Sequence, residues 1–190
     1  MQLGFYFDQT RCTGCDACTV ACKDWHECDL ETVPADWRRV LELETGAYPN
    51  PSVRYVTLSC LHCADPSCVA ACPAGAIEKR SEDGIVIVRR DACLGRDACG
   101  APCQAACPYD AVRFGPEPAS TMQKCDLCLE RWREGNPPVC VAGCPMRALD
   151  AGDIDELRRK YGDGKEMTGF VYSEENRPSL VVKARRKEKP

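Results

Sequence analysis

The stretch Cys12-Thr13-Gly14-Cys15-Asp16-Ala17-Cys18-Thr19-Val20-Ala21-Cys22 sets a pattern that the rest of the chain repeats. Two residues separate each of its first three cysteines, and three residues precede the fourth. Three later stretches vary it: Cys60-x2-Cys63-x4-Cys68-x3-Cys72-Pro73, Cys93-x5-Cys99-x3-Cys103-x3-Cys107-Pro108, and Cys125-x2-Cys128-x11-Cys140-x3-Cys144-Pro145. Each has four cysteines and closes on Cys-x3-Cys. Of the 17 cysteines in the chain, only Cys28 falls outside the four motifs.

The size of an iron–sulfur cubane explains this spacing. Three thiolates on one compact loop reach three irons of one cluster, and small residues such as Gly14 and Ala17 let the loop curl. The fourth cysteine points away, as the chain turns into a helix. In two-cluster ferredoxins that cysteine ligates the other cluster, and a proline follows it. Pro73, Pro108 and Pro145 hold that position, where the first residue of a helix needs no N–H. Lys23 replaces the proline in the first motif. Structural zinc would use two Cys-x2-Cys pairs across a longer spacer, which the first motif does not resemble. Haem attachment needs Cys-x2-Cys-His, and no such string occurs.

Composition points the same way. The 190 residues are 44% hydrophobic but only 7% aromatic, so an apolar core is modest and metal bonding supplies cohesion. A disulfide scaffold belongs to short secreted chains. Met1 to Asp8 has neither a basic n-region nor a long apolar h-region, so no secretory leader is expected. No run of about 18 apolar residues is present to cross a membrane. The net charge of −4 does not suit nucleic acid. No Gly-x-Gly-x-x-Gly string or P-loop is present for a nucleotide.

The segments between motifs predict an α+β fold of two fused bacterial-ferredoxin-like modules, with short strands, short helices and long cluster-binding loops. After Pro73, a helical turn at Ala74–Ile77 leads to the polar turn Ser81-Glu82-Asp83-Gly84 and a strand at Ile85–Val88. Cys107 to Phe114 begins a parallel version of that plan. Residues 39–43 and 53–58 read as strands joined by the turn-rich 46–51. Asp153 caps a helix, with Glu156 at the capping-box position, a stripe of Ile154, Leu157 and Tyr161, and Gly162 at its end.

With the motifs laid out, the chain resembles the iron–sulfur subunits of the dimethyl sulfoxide reductase family of molybdenum and tungsten oxidoreductases. The matching strings are Arg11-Cys12-Thr13-Gly14-Cys15, Ala21-Cys22-Lys23-Asp24, Ser59 to Pro66, Cys107-Pro108-Tyr109, Lys124 to Cys128, and Cys144 to Asp150. The resemblance spans roughly residues 3 to 162. It implies a pairing that spacing leaves open, first motif with fourth and second with third. Cluster 1 then takes Cys12, Cys15, Cys18 and Cys144. Cluster 2 takes Cys60, Cys63, Cys68 and Cys107. Cluster 3 takes Cys93, Cys99, Cys103 and Cys72. Cluster 4 takes Cys125, Cys128, Cys140 and Cys22. Residues 1–23 with 120–162 would form one two-cluster module and 52–119 the other. Residues 24–51 would be an inserted hairpin or loop, and 163–190 an extension that is solvated or docks on a partner.

The resemblance further implies four [4Fe–4S] clusters and no catalytic residue. The chain would relay single electrons between a large bis-pterin molybdenum or tungsten subunit and either a membrane quinone-reactive subunit or a soluble donor. The alternative is a polyferredoxin-type carrier serving a carbon monoxide dehydrogenase, a hydrogenase or a tungsten aldehyde oxidoreductase. One departure concerns the third motif, where Arg96 stands in place of the family's second cysteine and the spacing is stretched. A [3Fe–4S] cluster is the second reading of that site. Lys23, Lys124 and Arg11 flank cysteines and either raise local potentials or are solvated charges. His62 is expected to pack the second loop, and Cys28 to be an unligated thiol. The expected location is the cytoplasm, with the periplasm as the alternative if a partner bearing a twin-arginine signal carries the folded chain out.

Overall fold

The run Leu3-Gly4-Phe5-Tyr6-Phe7 offers apolar or aromatic side chains to both faces of a strand, as a doubly covered strand requires. The computed structural model describes residues 1–26, 36–117 and 119–185, and in it this run is β1 (Leu3–Asp8), buried throughout. There follow α1 (Ala17–Trp25), β2 (Arg38–Thr45), β3 (Ser52–Ser59), α2 (Ser67–Ala70), β4 (Ile77–Lys79) and β5 (Val86–Val88). Next are α3 (Arg96–Cys99), α4 (Pro102–Ala105), α5 (Leu129–Arg133), α6 (Val139–Ala142), β6 (Leu149–Asp153), α7 (Ile154–Tyr161) and β7 (Leu180–Lys183). The fold is α+β, with short elements threaded by long cysteine loops.

β1 lies between β6 and β7. β6 runs antiparallel to it, from Leu3 opposite Asp153 to Phe7 opposite Leu149. This pairing brings the start of the chain to the segment just after the fourth motif. Leu3, Phe5 and Phe7 enter the same core as Cys125, Cys140 and Cys144. Tyr6 points the other way, into a cluster with Ile154, Leu157 and Val181. The alternation of a strand therefore gives one face of the sheet to the cysteines and the other to α7.

β7 differs from the expectation for residues 163–190. It pairs parallel with β1, from Phe5 opposite Leu180 to Asp8 opposite Lys183. Leu180, Val181 and Val182 are buried. A three-residue apolar run is too short to announce a strand by periodicity, and the exposed edge of β1 recruits it. Lys183 then pairs with Asp8 at 3.1 Å. The tail from 186 onward, like Cys28, lies outside the described residues.

β2 and β3 form one antiparallel hairpin, from Arg38 opposite Ser59 to Thr45 opposite Ser52. The expected division at 51/52 falls at its turn. β4 pairs with β5, Ile77 opposite Val88, around the polar turn expected at 81–84. The parallel plan after Cys107 shortens to a single bridge between Arg113 and Gln123.

The helical reading of the Cys-Pro segments is corrected. The helical turns come before the fourth cysteine of each motif, and they carry the third: Cys68 in α2, Cys103 in α4 and Cys140 in α6. Each proline instead opens a tight turn. Gly75 N donates to Cys72 O at 3.2 Å, Asp110 N to Cys107 O at 3.3 Å, and Arg147 N to Cys144 O at 3.2 Å. Proline presets the second residue of such a turn. Gly75, Asp110 and Arg147 close it in the left-handed region, with φ of 56, 48 and 51°. At residue 23, lysine keeps its N–H, and α1 runs on past Cys22 to Trp25.

α7 starts as expected. The Asp153 carboxylate accepts from Asp155 N at 3.0 Å and Glu156 N at 3.3 Å. Glu156 pairs with Arg159 at 3.7 Å. Tyr161 stacks on Tyr6 with 3.7 Å between ring centroids. Replacing Asp153 by Ala is expected to destabilise the protein by about 1 kcal/mol through loss of the cap. Chemical denaturation of wild type and variant checks this, and the iron content should not change.

Candidate metal centres

The cysteine loops bend back on themselves through left-handed residues. Gly14 has φ of 70°, and a Cβ there would lie against the ring of Tyr55. Asp16 (55°), His62 (45°), Ala101 (49°), Leu127 (60°) and Cys128 (49°) adopt the same region. These bends turn successive thiols inward rather than outward.

The structure gathers the sixteen motif cysteines into four groups of four. Cys12, Cys15, Cys18 and Cys144 line one cavity. Cys72, Cys93, Cys99 and Cys103 line another. Cys63 has Cys60, Cys107 and Cys68 as the thiols that act on it. Cys125 faces Cys22 and Cys140, and Cys128 faces Cys140. Every group therefore takes three sulfurs from one motif and one from another motif. Groups also adjoin in pairs: Cys18 of one acts on Cys140 of the next, and Cys103 on Cys68.

Backbone amides aim at the sulfurs. Ala76 N donates to Cys72 Sγ and Ala148 N to Cys144 Sγ, both at 3.3 Å, four residues beyond the cysteine in each Cys-Pro turn. Cys107 accepts backbone bonds from Ala111 and Tyr109. Leu127 N reaches Cys125 Sγ at 3.3 Å, and Met122 N reaches Cys93 Sγ at 3.4 Å. A sulfur that accepts in this way is set up to act as a thiolate. Burial opposes ionisation of the bare thiols. It pushes Cys63, Cys68 and Cys128 up to about 12, and Cys103 to about 11. Cys125, which is fully enclosed, goes well above the ordinary value. Such thiols become thiolates when a cation binds them. Four convergent sulfurs with amide donors and apolar walls fit an iron–sulfur cluster; a hard cation would want oxygen ligands.

The flanking cations divide. Lys23 pairs with Asp36 at 2.6 Å, and Arg11 is exposed. Arg96 pairs with its neighbour Asp97 at 3.4 Å and remains partly solvated. Lys124 is buried and donates to the carbonyls of Val86 and Cys125. The stretched third loop forms the one-turn α3, and Cys99 Sγ donates to Gly95 O at 3.2 Å within it.

Both histidines have clear positions. His62 is fully buried, and its Nδ1 accepts from Val86 N at 3.0 Å, which ties the second loop to β5. Burial, with Lys124 and Lys79 nearby, holds it well below its ordinary range and hence neutral. His26 lies beside a cysteine group that sequence reasoning does not connect it to. It is 4.4 Å from the Trp37 ring, and its Nε2 is 3.5 Å from Cys128 Sγ and 3.7 Å from Asp126 Oδ1. Its distance from Cys128 along the sequence leaves no local signal to find it.

These features define an iron–sulfur protein of the ferredoxin-like class, built to carry electrons. A family model described as a 4Fe-4S dicluster domain matches residues 51–154. The B subunit of the anaerobic dimethyl sulfoxide reductase of Escherichia coli K12 is 41% identical over 203 aligned positions, covering 100% of this chain and 92% of that protein. The corresponding subunit of Haemophilus influenzae is 41% identical, with 96% and 89% covered. The thiosulfate reductase electron transfer subunit PhsB of Salmonella typhi is 37% identical, with 95% and 90% covered. This protein belongs to the family of iron–sulfur subunits of the dimethyl sulfoxide reductase group of molybdenum and tungsten oxidoreductases. It is an electron-transfer subunit and not the catalytic one.

Gly14→Ala tests the loop geometry. The added methyl meets Tyr55 and strains a left-handed residue by roughly 1–2 kcal/mol. Iron analysis of the purified variant should show less iron per chain than wild type.

Proposed function

We propose that the chain holds four [4Fe–4S] clusters, one in each cysteine group, and relays single electrons along them. The observation that carries this reading is the three-plus-one convergence of all sixteen motif cysteines. Cysteine groups 1 and 4 adjoin, as do 2 and 3, and Lys124 stands next to Cys125 with its charge acting on Cys68. These adjacencies support a path in the order 1, 4, 2, 3, with its ends at the Cys12 and Cys93 groups. When bound, such clusters take up and release one electron at a time. The residues of the chain hold the sulfurs, donate amide hydrogen bonds to them and exclude water around them. Cys15 is exposed, so the Cys12 group opens to the surface and offers an electron an exit or an entry.

The electron partners follow from the relatives. We infer a large bis-pterin molybdenum or tungsten catalytic subunit of dimethyl sulfoxide reductase type on one side. On the other is a membrane quinone-reactive subunit or a soluble donor. Among the described residues no helix is long and apolar enough to cross a membrane, so contact with quinone would run through another subunit. The likeness to reductase electron-transfer subunits, over about nine tenths of their length, favours this assembly over a polyferredoxin serving a carbon monoxide dehydrogenase, a hydrogenase or a tungsten aldehyde oxidoreductase. Four cysteines around the third cavity favour a [4Fe–4S] cluster there over a three-iron one.

Iron and sulfide analysis with low-temperature EPR of the reduced protein tests the cluster count. The expected content is about sixteen irons per chain, four for each of four cubanes. Co-purification with a pterin-containing subunit is expected, and a stable lone chain would contradict the proposed assembly.

A further inference from the structure

Arg38 opens β2 and is 2% exposed, yet it has no carboxylate within ion-pair distance among the described residues. A guanidinium cannot shed its charge, and a buried charge needs a counter-charge. Nη1 donates to Thr57 Oγ1 at 3.1 Å and Nη2 to Ser59 Oγ at 2.9 Å, both on β3. The guanidinium also lies over the Phe5 ring, 4.7 Å from its centroid. These neutral partners orient the charge without balancing it. Cysteine sulfurs are the groups beside it that a bound metal centre would make anionic. Arg38 acts on the Cys140 thiol and favours its charged form, and Thr57 Oγ1, which Arg38 holds, stands 3.8 Å from Cys18 Sγ. The thiols acting on Arg38 are Cys140, Cys125, Cys18 and Cys22, so they come from two different cysteine groups.

We propose that Arg38 is the shared buried counter-ion of two clusters, those of the Cys12 and Cys125 groups, and that it raises the reduction potential of both. The proposal rests on the four-cluster reading. Each electron that reaches either cluster adds one negative charge, and a fixed cation in a poorly screened interior favours the reduced form. Sharing one cation shifts both sites in the same direction, which keeps electron exchange between them from becoming steeply uphill. Lys124 differs in position: it donates to the carbonyls of Val86 and Cys125, and its charge acts on Cys68 of the Cys60 group. Arg38 is a positioning residue of the relay. It does not ligate.

The test compares wild type, Arg38→Gln and Arg38→Lys, each produced as the full chain in its native complex and kept anaerobic. Iron content is measured first, followed by an EPR-monitored redox titration. In the Gln variant two of the four cluster signals are expected to titrate at lower potential. The shift should be at least tenfold in the reduction equilibrium, about 59 mV for a one-electron couple. The other two signals should stay in place, and the Lys variant should stay near wild type. Loss of two clusters in the Gln variant with all four kept in the Lys variant would also support the counter-ion role. Four unmoved potentials in the Gln variant overturn it, as does an equal shift or equal cluster loss in both variants. A wild-type iron content well short of four cubanes would instead sink the four-cluster reading itself, before any variant is compared.

Discussion

A sulfur on residue 144 must meet three sulfurs on residues 12 to 18, and one on residue 22 must meet those on 125 to 140. Every large feature of the fold serves that crossing. β1 lies immediately before the first loop and β6 immediately after the fourth, so their antiparallel ladder holds the two loops face to face. The sheet is buried on both sides because it is clamped between the cysteine core and α7. The same exchange between the second and third motifs needs less scaffold. The β4–β5 hairpin and one backbone bridge suffice there, since those motifs are close in sequence.

The crossing also explains the Cys-Pro turn. A helical turn delivers the third cysteine to its own loop's centre. The chain must then reverse so that the fourth thiol faces the neighbouring centre. Proline ends the helical hydrogen bonding and begins the turn, and a left-handed residue completes it. Ala76 and Ala148 are then positioned to donate their amides back to the crossing sulfurs. One local device thus redirects the chain and supplies donors to an anionic ligand. α1 does without it, because Cys22 sits inside a longer helix that packs on α6.

The cysteine loops are legible in the sequence because their constraint is local: three sulfurs on one cubane must lie within a few residues. The β2–β3 hairpin and α7 are legible for a similar reason, through alternation, a turn-rich linker and an Asp cap. Other features are set by contacts between distant segments, and no pattern in one stretch reports them. β7 is a four-residue strand with a three-residue apolar run, recruited by the open edge of β1. The proline after each fourth cysteine suggests a helix start because both a helix N-terminus and a turn accept its fixed φ. His26 reaches Cys128 only through folding. Arg38 reads as an ordinary strand charge, and only its burial between two cysteine groups sets it apart from Arg39 beside it.

The central claim is that each cluster takes three sulfurs from one motif and the fourth from a partner motif. Crystal diffraction of the anaerobic protein at the iron absorption edge tests it most directly. The account predicts four compact iron sites, with Cys144, Cys107, Cys72 and Cys22 as the crossing ligands. It also predicts the sites in a row, with the Cys12 and Cys93 groups at its ends. Clusters ligated wholly within single motifs, or single-metal sites giving a zinc signal, would contradict it.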